Sequence, residues 1–255
     1  MTSSTAPPAA LAPWRPFVAV VRYTLRSTMP GRRWIGVLVP CAAAVLFGLL
    51  ARSLGGSIER DFAQTAGEAL FGLVMPVTCL VVGDAVLGAE VRAGTFSFTW
   101  LSPVPTWQIA VGRWLGGSVI AAGCLAVAFA AAAMVAGASD QVPALVVAAA
   151  TGAAAYVAVF LLIGCVARRA AVWSLAYVFL VERLLGEALD GVAQLSPSWL
   201  ARQVHLDLAA LPGDLLREGV PQGTAAVVRL ALVTAVLLVL ASRRLRHLRL
   251  SGSAD

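Results

Sequence analysis

Lysine is absent from this chain of 255 residues: all nineteen basic side chains are arginine. A P-loop needs a lysine to reach the nucleotide phosphates, so no standard ATP site is expected here. Charge is scarce as well, at 13% of residues, where soluble domains carry about 25%. The two histidines, His205 and His247, lie outside the long apolar runs. That excludes a haem-b subunit, which needs paired histidines inside a bundle. The four cysteines, Cys41, Cys79, Cys124 and Cys165, show no CxxC or other metal spacing. All four sit in apolar runs, where cysteine acts as a small packing residue. No HExxH, GxSxG or paired intramembrane aspartate is present, which argues against a membrane protease or esterase. The formal charge of +6 has no soluble basic face of useful length behind it, so no nucleic-acid partner is expected.

What the sequence has in excess is apolar surface. Hydrophobic residues make up 60% of the chain and the mean hydropathy is +0.85. A globule of this size cannot hide that much apolar surface from water, whereas a bilayer solvates it. At ~20 residues per span the length suits about six spans. The expected class is an all-α membrane protein: six transmembrane helices, an amphipathic interfacial helix before them, and a short outer-leaflet helical hairpin before the last span. Residues 1–13, rich in Ser, Thr, Ala and Pro, read as a disordered tail, and the first apolar run at Trp34 comes too late for a signal peptide. Residues 14–33 read as the interfacial helix and a basic turn, 34–241 as the transmembrane domain, and 242–255 as a basic cytoplasmic tail.

The spans are read at Trp34–Ala51, Glu68–Gly88, Trp107–Ala138, Ala144–Val166, a stretch from Ala170 that turns polar near Glu182, and Gly223–Ala241. In the interfacial helix Trp14, Phe17, Val18, Val21 and Leu25 recur at helical spacing, while Arg15, Arg22 and Arg26 gather on the other side. An apolar face in the headgroup boundary and an arginine face on anionic lipid fit that pattern. Thirteen of the nineteen arginines fall in segments assigned to one side of the membrane, with only Glu90 and Asp255 as acids beside them. By the positive-inside rule that side is the cytoplasm. Both termini are therefore expected there, in the cell membrane, with an even number of spans. Gly112 and Gly116, four apart, would let another helix approach closely.

Two constellations carry chemistry. The first runs from Gly88 to Pro105 between the second and third spans, with Glu90, Arg92, Gly94, Thr95, Leu101, Ser102 and Pro103 as its marked positions, followed by Gly112-Arg113. The second is Glu182, Arg183, Glu187 and Asp190 at the end of the fifth span, where Arg183 and Glu187 are spaced to pair along one helix face. Ionisable residues inside a span are costly and usually face a cavity or the bundle interior. Either Glu182, Arg183 and Glu187 line a pathway or outer gate, or the span ends near Val181 and they lie at the outer surface; the second is the simpler reading. Asp84 lies inside the second span near its cytoplasmic end, where it can snorkel or bond to a neighbouring helix.

The stretch at Glu90, Gly94-Thr95, Leu101-Ser102-Pro103 and Gly112-Arg113 resembles the ABC-2 family of ABC transporter permeases. The resemblance extends to the layout: an N-terminal interfacial helix, six spans and a polar segment between the last two. Two prolines close together, Pro103 and Pro105, depart from the usual ending of that motif. The resemblance implies a transmembrane subunit without catalysis of its own, whose elbow at Glu90–Pro103 docks on a separate ABC ATPase subunit. ATP and magnesium would bind that partner, and this chain would hold no cofactor. It further implies a second permease, identical or related, and two short helices over residues 183–200 that dip into the outer leaflet, broken at Ser196-Pro197-Ser198-Trp199. The rival classes are an ion- or proton-coupled secondary transporter, which needs charges at mid-span, and a non-transporting membrane scaffold.

Overall fold

The computed structural model describes residues 14–28, 33–54, 57–88, 104–167 and 169–246. These residues form helices joined by short turns, with no strand among them. In chain order α1 is Trp14–Ser27 and α2 is Arg33–Ser53. The next helix, α3, is continuous through the segments Ile58–Thr65, Ala66–Val74, Met75–Gly83 and Asp84–Gly88. Then come α4, Thr106–Ala136, and α5, Val142–Val166. The helix α6 joins Ala170–Ala176, Tyr177–Leu185 and Gly186–Ala188. Two short helices follow, α7 at Asp190–Ala193 and α8 at Pro197–Leu208, and α9 closes the fold at Gly223–Arg246.

Among the described residues five helices are long and apolar enough to cross a membrane: Ile35–Ser53, Ile58–Val86, Thr106–Ala136, Ser139–Val166 and Gly223–Arg246. The stretch expected as a further span, α6, is not among them, because Glu182, Arg183 and Glu187 fall within its 170–188 length. A second difference concerns α3, which starts at Ile58 rather than Glu68. Its first turns look polar in sequence, with Glu59, Arg60, Asp61 and Gln64, yet Phe62, Ala63 and Ala66 on one side are buried. The turn after α4 is closed by Gly137, whose φ of 89° suits glycine. The N–H of Ala138 donates to the Ala133 carbonyl at 2.9 Å and that of Gly137 to Met134 at 3.2 Å, a paired C-terminal cap.

The core lies where α3 and α5, the most buried long helices, pack between α4 and α8. Phe71 meets Phe129 edge-on with centroids 5.4 Å apart, and Tyr156 stacks on Phe160 at 5.6 Å. Toward lipid the bundle presents apolar side chains such as Leu46, Val127, Trp173 and Leu232.

The bundle has two distinct ends. At one, Arg246 donates to the Thr106 hydroxyl at 3.2 Å and the buried Arg113 donates to the Val86 carbonyl at 2.5 Å. Helix α1 docks on α4 at this end. Added Cβ atoms on Gly112 and Gly116 would come within 2.9 Å of Val20 and 2.8 Å of Thr24, so the glycine pair is the floor on which α1 lies. At the opposite end, Gln141 donates to the Glu59 carbonyl at 3.2 Å, Arg60 pairs with Asp214, and α7 and α8 form a cap.

Candidate functional site

The marked positions Glu90, Arg92, Gly94, Thr95, Leu101, Ser102 and Pro103 lie outside the described residues. Their flanks do not: Val86 and Thr106 are both at the α1 end of the bundle. Of the α1 residues, Trp14, Val18, Arg22, Leu25 and Arg26 are exposed, while Phe17 and Val21 are half-buried. Val21 shares the side facing α4, its Cγ2 lying 3.6 Å from where a Gly112 Cβ would sit. Arg113 lies 5.4 Å under the Tyr23 ring, so it ties α1 to α4 from below.

The second constellation divides. Arg183 and Glu187 stay near the surface, their side chains 33% and 61% exposed, 3.8 Å apart as the i, i+4 spacing predicts. Arg183 also donates to the Glu68 carboxylate at 2.9 Å and to its backbone carbonyl at 2.8 Å. From α8, Arg202 reaches the other Glu68 oxygen at 3.0 Å. One carboxylate on α3 therefore clasps α6 and α8 together. Gly67 makes room for this, since a Cβ there would lie 2.6 Å from the Arg202 guanidinium. Further along, Arg217 pairs with Asp190 at 2.9 Å and lies 4.5 Å over the Trp199 ring.

Glu182 does something different. Only 2% of it is exposed, which overturns the reading that it sits at the outer surface. The stretch Tyr177–Leu185 is π-helical; such a turn re-phases the side chains and occurs often at functional sites. It separates Glu182, facing inward, from its neighbour Arg183, facing Glu68. The carboxyl meets four hydroxyls. Tyr156 of α5 donates to Oε2, Tyr177 donates to Oε1 at 3.2 Å, Ser196 donates to Oε1 at 2.9 Å, and Ser198 approaches Oε2 at 3.3 Å. The two serine hydroxyls are also 2.9 Å from each other. These partners come from α5, α6 and the start of α8.

The depth of this site follows from helix geometry. At ~1.5 Å per residue, Tyr156 is about 15 Å from the Val166 end of α5 and about 21 Å from its Val142 end. The carboxyl it holds is therefore about halfway through the bundle. Tyr177 also lines an open apolar groove of about 710 Å³ between α5 and α6, with Leu162, Val166, Trp173 and Leu180. One phenol thus touches both the groove and the buried carboxyl.

The chain turns at residues 194–196, so Pro197, Ser198 and Trp199 are the first turn of α8 rather than part of a break. The expected helix pair over 183–200 is shifted as well: α6 runs on to Ala188, α7 holds only Asp190–Ala193, and α8 continues to Leu208, buried along Leu200, Ala201, Val204 and His205. His205 meets the Gln141 side-chain oxygen through Nε2 at 3.0 Å and packs 5.6 Å from Phe71. Burial, with a smaller contribution from Arg202, pushes its pKa down to about 3, so it is a neutral tie between α8 and the turn before α5. The four cysteines are free thiols, Cys79 and Cys165 buried, as packing residues should be. Asp84 is half-buried at the α1 end of α3. No group of His, Cys, Asp and Glu able to hold a metal ion occurs among the described residues.

Sequence reasoning missed Glu68, Tyr156, Tyr177, Ser196 and Ser198. The signal for the tyrosines was present: the chain has three, and two of them meet Glu182. The serines were noted as a helix break, with no hint that they face a carboxyl from another helix. No protein-family model matches the chain, and no curated protein matches it significantly.

Proposed function

We propose that the chain is the membrane-spanning permease subunit of an ATP-driven exporter resembling the ABC-2 type. In this reading α6 is a sixth, short span, both termini are cytoplasmic, and the membrane is the cell membrane. The observation that carries it is the asymmetry of the two ends. One end bears α1 with its exposed Arg15, Arg22 and Arg26, the buried Arg113, and the basic last turn of α9, Arg243, Arg244 and Arg246. The other is closed by α7 and α8. Arginine-rich flanks belong on the cytoplasmic side, and the flanks of the segment Glu90–Pro103 sit at that end, which supports reading that segment as the one that docks on a soluble ATPase. ATP and magnesium belong to that partner. The exposed apolar face of α6, with Trp173, Phe179, Leu180 and Leu184, suits lipid or a second permease. A tagged copy of the chain should bring an ABC ATPase with it on purification from mild detergent; recovery of the chain alone, under conditions that keep the bundle folded, overturns the reading.

One observation supports a second reading, an ion- or proton-coupled transporter. Such proteins carry ionisable groups near the bilayer midplane beside irregular helices, and Glu182 in its π-helical turn is both.

A further inference from the structure

The Glu182 cluster has more contacts between oxygens than an ionised carboxylate and its neighbours have hydrogens to fill. It contains five hydrogen-bonding contacts: Tyr156 to Oε2, Tyr177 to Oε1, Ser196 to Oε1, Ser198 to Oε2, and Ser196 to Ser198. Each contact needs one hydrogen between its two oxygens. A hydroxyl brings one hydrogen and an ionised carboxylate brings none, so the four hydroxyls fill only four of the five. With Glu182 ionised, one pair of oxygens would face each other with nothing between them. With Glu182 protonated, all five are filled in one consistent direction. The acid Oε2–H donates to Ser198 Oγ, Ser198 donates to Ser196 Oγ, and Ser196 returns the chain to Oε1. Tyr156 and Tyr177 donate to the two oxygens from the other side.

Charge points the same way. The residues that hydrogen-bond the carboxyl are neutral, and no arginine is among them. Arg183, the next residue, is turned toward Glu68 and Glu187; Arg202 of α8 is also engaged with Glu68. From α3 the titratable neighbour is Cys79, buried and free. A lone anion in an apolar interior costs far more than a neutral acid with its hydrogen bonds filled.

We propose that Glu182 is a proton-binding site, occupied in the arrangement seen here, and that the bound proton closes a ring joining α6 to the start of α8 at 196–198 and through it to α5. The site binds one proton from water and releases it to water. Losing it empties one contact and leaves a buried charge, so the deprotonated form favours parting of the 196–198 segment from α5 and α6. This holds however the chain is powered, and its test does not depend on a partner.

The test is infrared spectroscopy of the purified full chain in lipid bilayers at neutral pH. The spectrum of the unmutated chain minus that of Glu182→Gln should contain the C=O stretch of a protonated carboxylic acid. Glutamine supplies both an N–H and a C=O to the same neighbours, so this variant should keep the fold. Ser198→Ala removes the acceptor of the acid hydrogen and should move that band to higher frequency. Incorporation of carbon-13 glutamate into the unmutated chain keeps the test decisive if the variants fail to fold: the acid band should shift with the isotope, because the other described glutamates, Glu59, Glu68, Glu187 and Glu218, are exposed. An isotope-sensitive carboxylate band with no acid band overturns the proposal. So does an acid band that vanishes when sodium or potassium is added at constant pH, which would make the site one for a monovalent cation.

Discussion

Replacing Gly116 with alanine tests the docking of α1 on α4. The new Cβ would lie 2.8 Å from Thr24 Cβ and 2.9 Å from Thr24 Cγ2, where carbon pairs settle at about 3.5–4.0 Å. Thr24 has little freedom to yield. It is fully buried, its hydroxyl donates to the Val20 carbonyl at 2.9 Å, and its own carbonyl accepts from Thr28 at 2.6 Å. The backbone of α1 must therefore lift by roughly 1 Å, enough to forfeit a quarter to a half of the dispersion at each contact it opens. Overpacking of this kind costs about 1–3 kcal/mol, offset by the ~0.8–1.0 kcal/mol that alanine gains over glycine inside a helix. The expected net loss is about 1 kcal/mol, within a range of roughly 0–2. Gly123 supplies the control on the same helix. Nothing lies within 4 Å of its added Cβ, so Gly123→Ala should stabilise by up to about 1 kcal/mol. The assay is reversible unfolding in mixed micelles of mild and denaturing detergent, read as the shift in midpoint. Opposite signs for the same chemical change seven residues apart are expected. If Gly116→Ala stabilises as much as Gly123→Ala, α1 does not rest on that floor.

Fusion reporters at residues 5 and 250 should both read cytoplasmic; a split result would mean that α6 does not cross and that five spans is the count. His205 makes stability sensitive to acid. Its pKa falls from an ordinary 6.5 to about 3 in the folded chain, so the unfolded chain binds the proton more readily. The contribution is intact above pH 6.5 and is lost as pH falls toward 3, at up to about 1.4 kcal/mol per pH unit. Between pH 6.5 and 4.5 the detergent midpoint of the unmutated chain should fall relative to that of His205→Gln, a comparison in which the opposite contribution of a protonated Glu182 cancels; parallel pH profiles for the two chains would remove His205 as a source of acid sensitivity.

The apolar runs announce most of the fold, because a bilayer selects on length and hydropathy before anything else. They mislead at two places, and for related reasons. The start of α3 reads as a loop since its exposed side carries four polar residues within seven positions, while the partners of Phe62 and Ala66 come from elsewhere in the bundle. Glu182 reads as surface because Arg183 and Glu187 stand beside it in the chain, and three charges together suggest a helix end. On the helix they diverge: the two neighbours meet Glu68 and water, and Glu182 turns to Tyr156, twenty-six positions earlier. Sequence adjacency carried no information on that turn, which depends on the π-helical phase of Tyr177–Leu185 and on a break at Ser196 that brings two hydroxyls back into the bundle. The small-residue pair was legible as a close-approach face, but not the identity of the helix it receives.

The buried position of Glu182 also changes how the two functional readings are separated. With all its charges near span ends, the chain would lack what a coupled secondary transporter needs at mid-depth. With a carboxyl about halfway through the bundle, that objection is gone, and the question becomes where energy enters. In the exporter reading it enters at the α1 end, through Glu90–Pro103, and Glu182 serves the closed state of the spans. In the proton-coupled reading it enters at Glu182, and the same loop is only a connection. Two substitutions part these accounts. Glu90→Arg should leave insertion intact, since the position lies outside the apolar runs, and in the exporter reading it should lower ATPase recovery and abolish transport-linked ATP hydrolysis. Glu182→Gln mimics the protonated acid permanently; an exporter should keep its ATPase partner when carrying it, whereas a proton-coupled transporter should lose uptake or efflux driven by a pH gradient while Glu90→Arg leaves that flux unchanged. Because each reading predicts damage from one substitution and tolerance of the other in its own assay, a chain in which Glu90→Arg binds and stimulates its ATPase like the unmutated protein removes the exporter reading, whatever Glu182 does.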